Sequence, residues 1–470
     1  MDFINKIKNR FSNSNTLKAS LVLVFWMFVS RGMGVVRTAL VGKLPTSEAD
    51  IFNSGLVLQS NLITIFILGS IIIATLPQVT KLSKFDKEQI NKDKSTNQTS
   101  IYLSWCMLIL SVLLSIISIF LIIFSEPVLW WFNFDLMNSF QKIGKLHEFI
   151  AFNQIALIGP VIFGLKSLFG VFLNVKKEYF IYSLEGVINN FGSLLGLTIG
   201  FYFYGILGAG IGVLAGSTFA LLAFIFDAYR FGFTFSLGWF EGLDSYLWQT
   251  LWLYLPRLLV YSNIRAAETM VTILSPEANG QISAFQYALD IQGIFLGIIM
   301  VVATVFLPNL AQILVDKGKN KVFWDHLFKY LKVSFWLSIF GAFVTILGTP
   351  LALWLFKNLA QVKNTSFLAD PKNIELVTQL AILCAVSLVF QAIAEILNRY
   401  FTAIEKVWQT IIASTLGNFS AIILAFLLHR SYGAGVTTSL ALALNSFVLC
   451  LVLAYFTYKD WKNSSIILPS

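Results

Sequence analysis

Twelve long apolar runs constrain the fold of this chain more than any other feature of its sequence. A helix needs about 20 mostly apolar residues to cross the hydrocarbon of a bilayer. The runs that reach this length occupy residues 18–43, 51–80, 100–124, 147–174, 178–203, 205–228, 248–274, 280–314, 327–356, 374–400, 406–429 and 433–457. Because only helices and closed barrels satisfy their backbone polar groups in lipid, this pattern predicts an all-α polytopic membrane protein with about twelve transmembrane helices.

The composition excludes a soluble enzyme and a disordered chain, and it argues against nucleic acid as a partner. Of the 470 residues, 57% are hydrophobic and only 12% are charged, whereas a soluble domain has about 25% charged residues. The net charge of +9 follows from the placement of Lys and Arg: with the N-terminus inside, 21 of these 33 residues fall in cytoplasmic segments and 7 in outer segments. Since cytoplasmic loops are enriched in Lys and Arg, both termini are predicted to be cytoplasmic.

Short matches between the two halves of the chain indicate an internal repeat. Asn190-Phe191 is similar to Asn418-Phe419, and Gly208-Ala209-Gly210 is similar to Gly433-Ala434-Gly435, at offsets of 228 and 225 residues. Six spans per half, both halves beginning inside, predict parallel repeats related by an axis along the membrane normal, as in two-lobed transporters.

The boundary between the halves is predicted at an aromatic stretch between spans six and seven. Residues 238–248 read GWFEGLDSYLW, and Trp and Tyr prefer the membrane–water interface. We therefore expect a connector that lies along the inner membrane surface. The predicted division is an N-lobe over 1–237, an interfacial connector over 238–247 and a C-lobe over 248–470.

The sequence lacks the motifs of catalysis and of cofactor binding. It contains no GxxxxGKS or GxxxxGKT loop, so no ATPase site is expected. The three histidines, His147, His326 and His429, are scattered without ligand spacing, so neither a metal nor a cofactor is expected. A membrane glycosyltransferase would need a large outer loop with catalytic carboxylates, and the outer loops near 125–146 and 357–373 are short. These features predict a transporter and not an enzyme.

Charged side chains inside the spans are the candidate functional residues. Arg31 and Arg37 lie in the first span, where an arginine at mid-depth costs about 2.5–3.5 kcal/mol on insertion scales. Two interpretations are open. Both side chains could line a wet cavity and bind an anionic head group, because guanidinium binds phosphate through two parallel hydrogen bonds. Alternatively, each could pair with a carboxylate that locks two helices together.

Span seven carries a second pair of arginines. Arg257 and Arg265 share one side of the helix, since eight residues correspond to about 80° of rotation. Glu268, three residues after Arg265, offers an intrahelical ion pair as the alternative to a cavity role. Asp290, deep in span eight, is either a partner for one of these arginines or a protonatable site.

Four further charged residues have simpler interpretations. Lys166 lies toward the inner end of span four and could extend its ammonium to the interface. Glu185 and Glu395 are within spans, and the sequence names no partner for either. Asp50 opens span two, where it could be a solvated charge at the end of a helix.

A resemblance to a known family lies in the first span, at Ser30-Arg31-Gly32-Met33-Gly34-Val35-Val36-Arg37. This motif resembles that of the MurJ family, the lipid II flippases of the MOP exporter superfamily. The likeness covers nearly the whole chain and continues at Glu48-Ala49-Asp50-Ile51-Phe52, Leu173-Asn174, Ala303-Thr304, Leu307-Pro308, Arg399-Tyr400-Phe401-Thr402-Ala403 and Gly433-Ala434-Gly435.

The resemblance implies a V-shaped, two-lobed helical fold with a central cationic cavity that alternates between inward-open and outward-open states. It implies an undecaprenyl-pyrophosphate-linked peptidoglycan precursor as substrate, moved from the inner to the outer leaflet of the bacterial plasma membrane. It also implies membrane lipids and cell-wall synthesis proteins as partners. The family positions that match here are Arg31, Arg37 and Asp50.

The sequence departs from the family pattern at several points. The family has Asp where this chain has Thr38, an arginine-rich stretch where it has Leu62-Ile63-Thr64-Ile65, and arginine where it has Asp290. The family also has 14 spans, whereas this chain has 12 predicted spans. Arg257 or Arg265 could supply the missing cation.

A lipid II flippase is therefore the predicted function. The predicted substrate-binding residues are Arg31, Arg37, Asp50, Arg257, Arg265 and Asp290. Alternatives are a flippase for another lipid-linked oligosaccharide, a cation-coupled multidrug exporter and a non-transporting scaffold of envelope synthesis. The exporter predicts a cavity dominated by carboxylates, whereas the spans of the first half favour arginine.

Overall fold

The computed structural model describes residues 16–68, 71–90, 97–132, 134–176, 178, 180–264, 280–359, 367–404 and 406–465. These residues are overwhelmingly helical, and no β-strand occurs among them. The all-α class predicted from the apolar runs is therefore confirmed.

Sixteen α-helices follow one another along the described chain. They are α1 (Thr16–Val41), α2 (Thr46–Ile63), α3 (Ile71–Ile90), α4 (Gln98–Ile123), α5 (Ser125–Phe132), α6 (Phe134–Lys142), α7 (Leu146–Ala156), α8 (Gly159–Val175), α9 (Phe180–Leu195), α10 (Phe201–Arg230), α11 (Leu243–Ile264), α12 (Gln281–Lys317), α13 (Lys321–Leu359), α14 (Pro371–Ala403), α15 (Val407–Tyr432) and α16 (Ala434–Ser465). Short π-helical turns, Thr64–Leu68 and Gly196–Gly200, follow α2 and α9.

Nine helical stretches of the described residues are long and apolar enough to cross a membrane. The longest, Ser183–Arg230, has 48 residues and covers most of predicted span five and all of predicted span six. It reverses direction at Gly205, whose φ of 58° is accessible to glycine but strained for other residues. Each of the twelve predicted runs coincides, at least in part, with a described helix.

The chain divides into two compact units, of which the first takes in Met1–Arg37, Gly55–Phe132 and Gly144–Ser262. Its core is built from large apolar side chains of α4, α8 and α10, including Leu103, Leu168, Phe172 and Phe224, each of them buried. Helices in lipid associate through close packing of this kind, because the lipid tails are as apolar as the side chains themselves.

Glycines close the antiparallel pair α9–α10 in the first unit. Gly192, Gly196 and Gly200 face Gly216, Gly212 and Gly208 in order, and a Cβ built on Gly196 would lie 2.7 Å from the Cα of Gly212. The two backbones are therefore in direct contact, which only residues without a side chain permit.

The second unit takes in Thr38–Ser54, Asn133–Ile143 and Asn263–Ser470. Helix α14 lies at its centre and packs against α12, α13 and α16. It begins at Pro371 because Asp370 accepts a hydrogen bond from the backbone N–H of Lys372 at 2.9 Å, an N-cap followed by proline at the first helical position.

One carboxylate ties together several helix ends in the second unit. Asp460 of α16 accepts hydrogen bonds from Lys319 at 3.0 Å, from Lys406 at 2.6 Å and from the Tyr400 hydroxyl at 2.8 Å. Three donors on one carboxylate satisfy its charge without water, so the ends of α12, α14, α15 and α16 are fixed to one another.

The predicted division into two lobes and a connector stays a prediction, and the two compact units group α11 differently from it. The predicted C-lobe began at residue 248, whereas residues 248–262 group with the first unit. The reason is that α11 is bonded to helices of that unit. Gln78 donates to Gln249 at 3.2 Å, and the hydroxyls of Tyr102 and Thr250 lie 2.6 Å apart.

Candidate functional site

Helix α1 presents its two arginines differently. Arg31 is exposed and Arg37 is half-buried. The residue before Arg31 is fixed to α9: the Asn190 side chain donates to the Ser30 carbonyl at 2.8 Å and to its hydroxyl at 3.1 Å, and Gly186 lies against the same serine. The backbone that carries Arg31 is therefore held in place, and the residue itself is exposed.

Helix α11 carries Arg257, whose side chain lies outside the described part of the structure, as does all of Arg265. The helix itself is anchored three residues before Arg257, where the Tyr254 hydroxyl donates to the Phe66 carbonyl at 3.0 Å. Phe66 belongs to the π-turn Thr64–Leu68. A π-turn replaces i→i+4 bonds with i→i+5 bonds and is frequent at functional sites. This contact is one of several that hold α11 within the first unit.

Asp50 caps a helix in this conformation. It is fully buried, and its carboxylate accepts hydrogen bonds from the Gly280 N–H at 2.8 Å, the Ser283 N–H at 3.2 Å and the Ser283 hydroxyl at 2.6 Å. These groups form the first turn of α12, where the helix dipole favours a negative charge. The expectation of a solvated end charge is therefore wrong. The carboxylate is also inaccessible to a ligand here, so a substrate-binding role for Asp50 stays a prediction for other conformations.

Asp290 contacts the residue that follows Arg37. Thr38 donates its hydroxyl hydrogen to Asp290 at 2.6 Å, and Gln286 donates to the other carboxylate oxygen at 3.0 Å. The Tyr287 hydroxyl also donates to the Thr38 carbonyl. Thr38 and Gln286 are neutral partners, and the predicted pairing with Arg257 or Arg265 involves side chains that the structure does not describe.

Lys166 does not reach the interface as expected. Its side chain is buried, its ammonium lies 2.6 Å from Glu185, and it also sits 3.5 Å from the centre of the Phe163 ring. The pair joins α8 to α9 inside the first unit, and it supplies the partner for Glu185 that the sequence did not name. Glu395 is bonded to Arg399 of the same helix at 2.8 Å.

The predicted site residues fall into two groups. Arg31, Arg37 and the backbone of Arg257 belong to the first unit, whereas Asp50 and Asp290 belong to the second. Among the described residues, no group of three or more His, Cys, Asp or Glu side chains is arranged to hold a metal ion.

Comparisons with known proteins agree on one family. The family model for lipid II flippase MurJ matches residues 44–468. A protein of Borreliella burgdorferi described as "Probable lipid II flippase MurJ" is 22% identical over 449 residues, which cover 93% of this chain and 82% of that protein.

Solved structures share the fold. A lipid II flippase MurJ in an inward closed conformation matches with a TM-score of 0.72 and 20% identity, covering 93% of this chain and 87% of that one. A multidrug resistance MATE transporter of the MOP superfamily, in an inward-facing conformation, matches with a TM-score of 0.65 and 14% identity, covering 95% and 99%. The chain therefore belongs to the MurJ lipid II flippase family, and it is a transporter rather than an enzyme.

Proposed function

We propose that this chain moves lipid II, an undecaprenyl-pyrophosphate-linked glycan, from the inner to the outer leaflet of a bacterial plasma membrane, and that Arg31, Arg37 and Arg257 receive its pyrophosphate. The observation that carries this proposal is the exposed position of Arg31 on an apolar span whose backbone is fixed by Asn190. The family supplies the lipid-linked class of substrate.

The energetics of the head group explain why arginines are needed. A pyrophosphate cannot enter hydrocarbon without losing its water, which costs far more than any single hydrogen bond returns. Guanidinium groups inside a span replace that water with charge-assisted, bidentate hydrogen bonds. An arginine at this depth is itself costly, so a recurring anionic ligand gives a physical reason for its presence.

The position of Arg257 agrees with this role. It lies 14 residues after the first residue of α11, Leu243, which corresponds to about 21 Å along a helix. If α11 begins near the inner interface, Arg257 lies within a hydrocarbon layer that is about 30 Å thick. The contact of Tyr254 with the π-turn fixes the helix just before this residue.

The two acids are proposed to position helices and not to bind phosphate. A carboxylate beside a pyrophosphate would repel it, and both Asp50 and Asp290 already accept hydrogen bonds from protein donors. Asp50 stabilises the first turn of α12, and Asp290 holds Thr38, the residue next to Arg37. Their effect on transport is therefore expected through the placement of these helices.

The decisive experiment is complementation of a bacterium depleted of its own lipid II flippase, with lipid II in the outer leaflet as the readout. The unaltered chain should restore flipping, and Arg31→Ala should lower its rate about ten- to hundredfold, because a hydrogen bond to a charged group contributes about 1.5–3 kcal/mol. Arg230→Ala, which removes an exposed arginine at the end of α10, is the matched control and should flip normally. Normal flipping by Arg31→Ala would refute the role of this residue.

A further inference from the structure

The segment that connects α10 to α11 has two different edges. After α10 the chain turns at Gly232, whose φ is 88°, and residues 233–240 form no helix before α11 begins. Positions 234, 236 and 238 are Thr, Ser and Gly, whereas positions 235, 237 and 239 are Phe, Leu and Trp. In an extended chain, alternate residues point to opposite sides, so one edge is polar and the other is apolar.

The polar edge is bonded to α4. The Thr234 N–H donates to the Ser100 hydroxyl at 3.4 Å, and the Ser236 N–H donates to the Ser104 hydroxyl at 3.1 Å. Four residues of helix and two residues of extended chain both span about 6–7 Å. This match of spacing shows that the segment runs extended along the helix.

Two side chains of α4 complete the attachment. The Trp105 indole N–H donates to the Gly238 carbonyl at 3.1 Å, and the Asn97 side chain donates to the Thr234 hydroxyl. The polar edge is thus fixed at three successive alternate positions, which orients the other edge away from the helix.

The apolar edge is open. Phe235 is 52% exposed, Leu237 is 44% exposed and Trp239 is 67% exposed. The hydrogen bonds on the opposite edge hold these three large apolar side chains outward. Together they form an apolar row that the described chain leaves about half exposed.

We propose that residues 233–239 lie in the lipid–water interface of the bilayer and that Phe235, Leu237 and Trp239 insert between phospholipids. This inference concerns attachment to the bilayer and is independent of the transported substrate. The segment joins two membrane helices, so it returns to the membrane surface by necessity. Burying the exposed parts of these side chains in an apolar environment is favourable.

The backbone sets the depth of the segment. The amide groups of Thr234 and Ser236 have protein acceptors, whereas the amides of Phe235, Leu237 and Trp239, all of them in the described chain, have none. In the hydrocarbon core every backbone polar group must be satisfied within the protein. The free amides therefore require water or head groups, which places the segment at the interface and not deeper.

The flanking residues fit the same layer. Tyr229 and Arg230 end α10, Trp248 lies near the start of α11, and all three are exposed. Aromatic side chains with a polar atom concentrate at the interface, and a nearby arginine interacts with lipid phosphates.

The test uses nitroxide labels on cysteines placed singly at positions 234–239, in the full chain reconstituted into vesicles of phosphatidylethanolamine and phosphatidylglycerol. The native cysteines, Cys106, Cys384 and Cys450, are buried. Collisions with oxygen, which concentrates in lipid, and with a water-soluble nickel complex are measured at each position. We expect a period of two, with oxygen contact dominant at 235, 237 and 239 and weaker at 234, 236 and 238, which are bonded to α4.

Two reference labels calibrate the result. A label at Ile116, an exposed apolar position of α4, should contact oxygen only, and one at Glu241, an exposed acid after the segment, should contact the nickel complex. Dominant nickel contact at 235, 237 and 239 would mean that the apolar row faces water. Low contact with both reagents there would mean that a protein covers it. Either result overturns the proposal.

The double variant Ser100→Ala/Ser104→Ala tests the attachment to α4, because it removes two acceptors. The alternation should weaken in this variant, and an unchanged alternation would contradict the attachment described here.

Discussion

Two helical pairs occupy matching places in the two halves of the chain, and they are closed in different ways. The pair α9–α10 turns at Gly205 and the pair α15–α16 turns at Gly433, both with positive φ. Each turn lies fifteen residues after an asparagine, Asn190 in the first half and Asn418 in the second. The structure therefore supports a repeat at an offset of 228 residues, and it identifies Gly205 rather than Gly208 as the counterpart of Gly433.

The contacts inside the two pairs differ. In α9–α10, glycines bring backbone against backbone. In α15–α16, the contact is made by side chains: Asn445 donates to Asn418 at 2.5 Å and lies against Gly417, and Ala421 and Ala425 pack with Ala441. In the first pair, by contrast, the side-chain amide of Asn190 binds Ser30 beside Arg31. The same position thus serves the arginine helix in one half and the helical pair itself in the other.

The largest effect that would sharpen this comparison is expected from added methyl groups. A Cβ at Gly212 would overlap the Cα of Gly196, a backbone atom that cannot move aside. A Cβ at Gly417 meets first the side-chain oxygen of Asn445, at 2.5 Å, and the backbone carbonyl of that residue only at 3.0 Å. Gly212→Ala should therefore lower the free energy of unfolding by about 3 kcal/mol and Gly417→Ala by about 1 kcal/mol. Thermal unfolding in detergent, followed by size-exclusion chromatography, measures both.

Gly348→Ala is the matched control for these two variants. A Cβ there meets only Val344, at 3.8 Å, and alanine is the better helix former by up to about 1 kcal/mol. It should be neutral or slightly stabilising. If Gly212→Ala and Gly417→Ala were equally destabilising, the distinction between backbone and side-chain contact would be wrong.

An effect of similar size is expected at the ion pair that joins α8 to α9. Glu185→Gln leaves the ammonium of Lys166 buried without its counter-charge, whereas Lys166→Met leaves a carboxylate that is 27% exposed and can reach water. Removing one partner of a buried pair costs about 3 kcal/mol or more. Glu185→Gln should therefore destabilise the chain by about that amount, and Lys166→Met by less. The double variant should regain most of the stability that Glu185→Gln loses. Thermal unfolding measures all three variants.

The second half offers a comparison for this pair as well. Glu395 and Arg399 lie on one helix with side chains 21% and 25% exposed, and such i,i+4 pairs contribute about 0.2–0.5 kcal/mol. Glu395→Gln should thus be nearly silent. An equal loss of stability in Glu185→Gln and Lys166→Met would contradict the asymmetry in burial from which the prediction is made.

The sequence predicted the fold because spans are local: twenty apolar residues become a helix in lipid whatever their neighbours are. It could not predict the grouping of α11 with the first unit. That grouping depends on contacts such as those of Thr250 with Tyr102 and of Tyr254 with the π-turn, between residues far apart in the chain. The π-turn itself has no signal in Thr64-Ile65-Phe66-Ile67-Leu68 that distinguishes it from an ordinary apolar helix.

The candidate site was predicted in its residue types more than in its geometry. A charge within a span is costly, so the positions of Arg31, Lys166, Glu185 and Asp290 in the apolar runs identified them from the sequence alone. Their partners required the folded chain, because each lies on another helix or depends on the rotation of its own. Thr38 and Asp290 illustrate the point: the sequence shows them as two separate departures from the family pattern, and the structure shows that they are bonded to each other.

The matched asparagines provide the comparison that best separates the two halves by function. Asn190→Ala removes two hydrogen bonds to Ser30, and Asn418→Ala removes one to Asn445. Each variant should lose about 1–2 kcal/mol of stability, since a neutral hydrogen bond contributes about 1 kcal/mol.

Only Asn190→Ala should also slow lipid II flipping in the complementation assay, because only it loosens the backbone beside Arg31. Asn190→Asp, which keeps the length of the side chain but replaces the donor by an acceptor, should behave like Asn190→Ala. If Asn418→Ala slowed flipping as much as Asn190→Ala at equal amounts of folded protein, then the first asparagine would have no special connection to the arginine helix, and the functional difference between the two helical pairs would have to be abandoned.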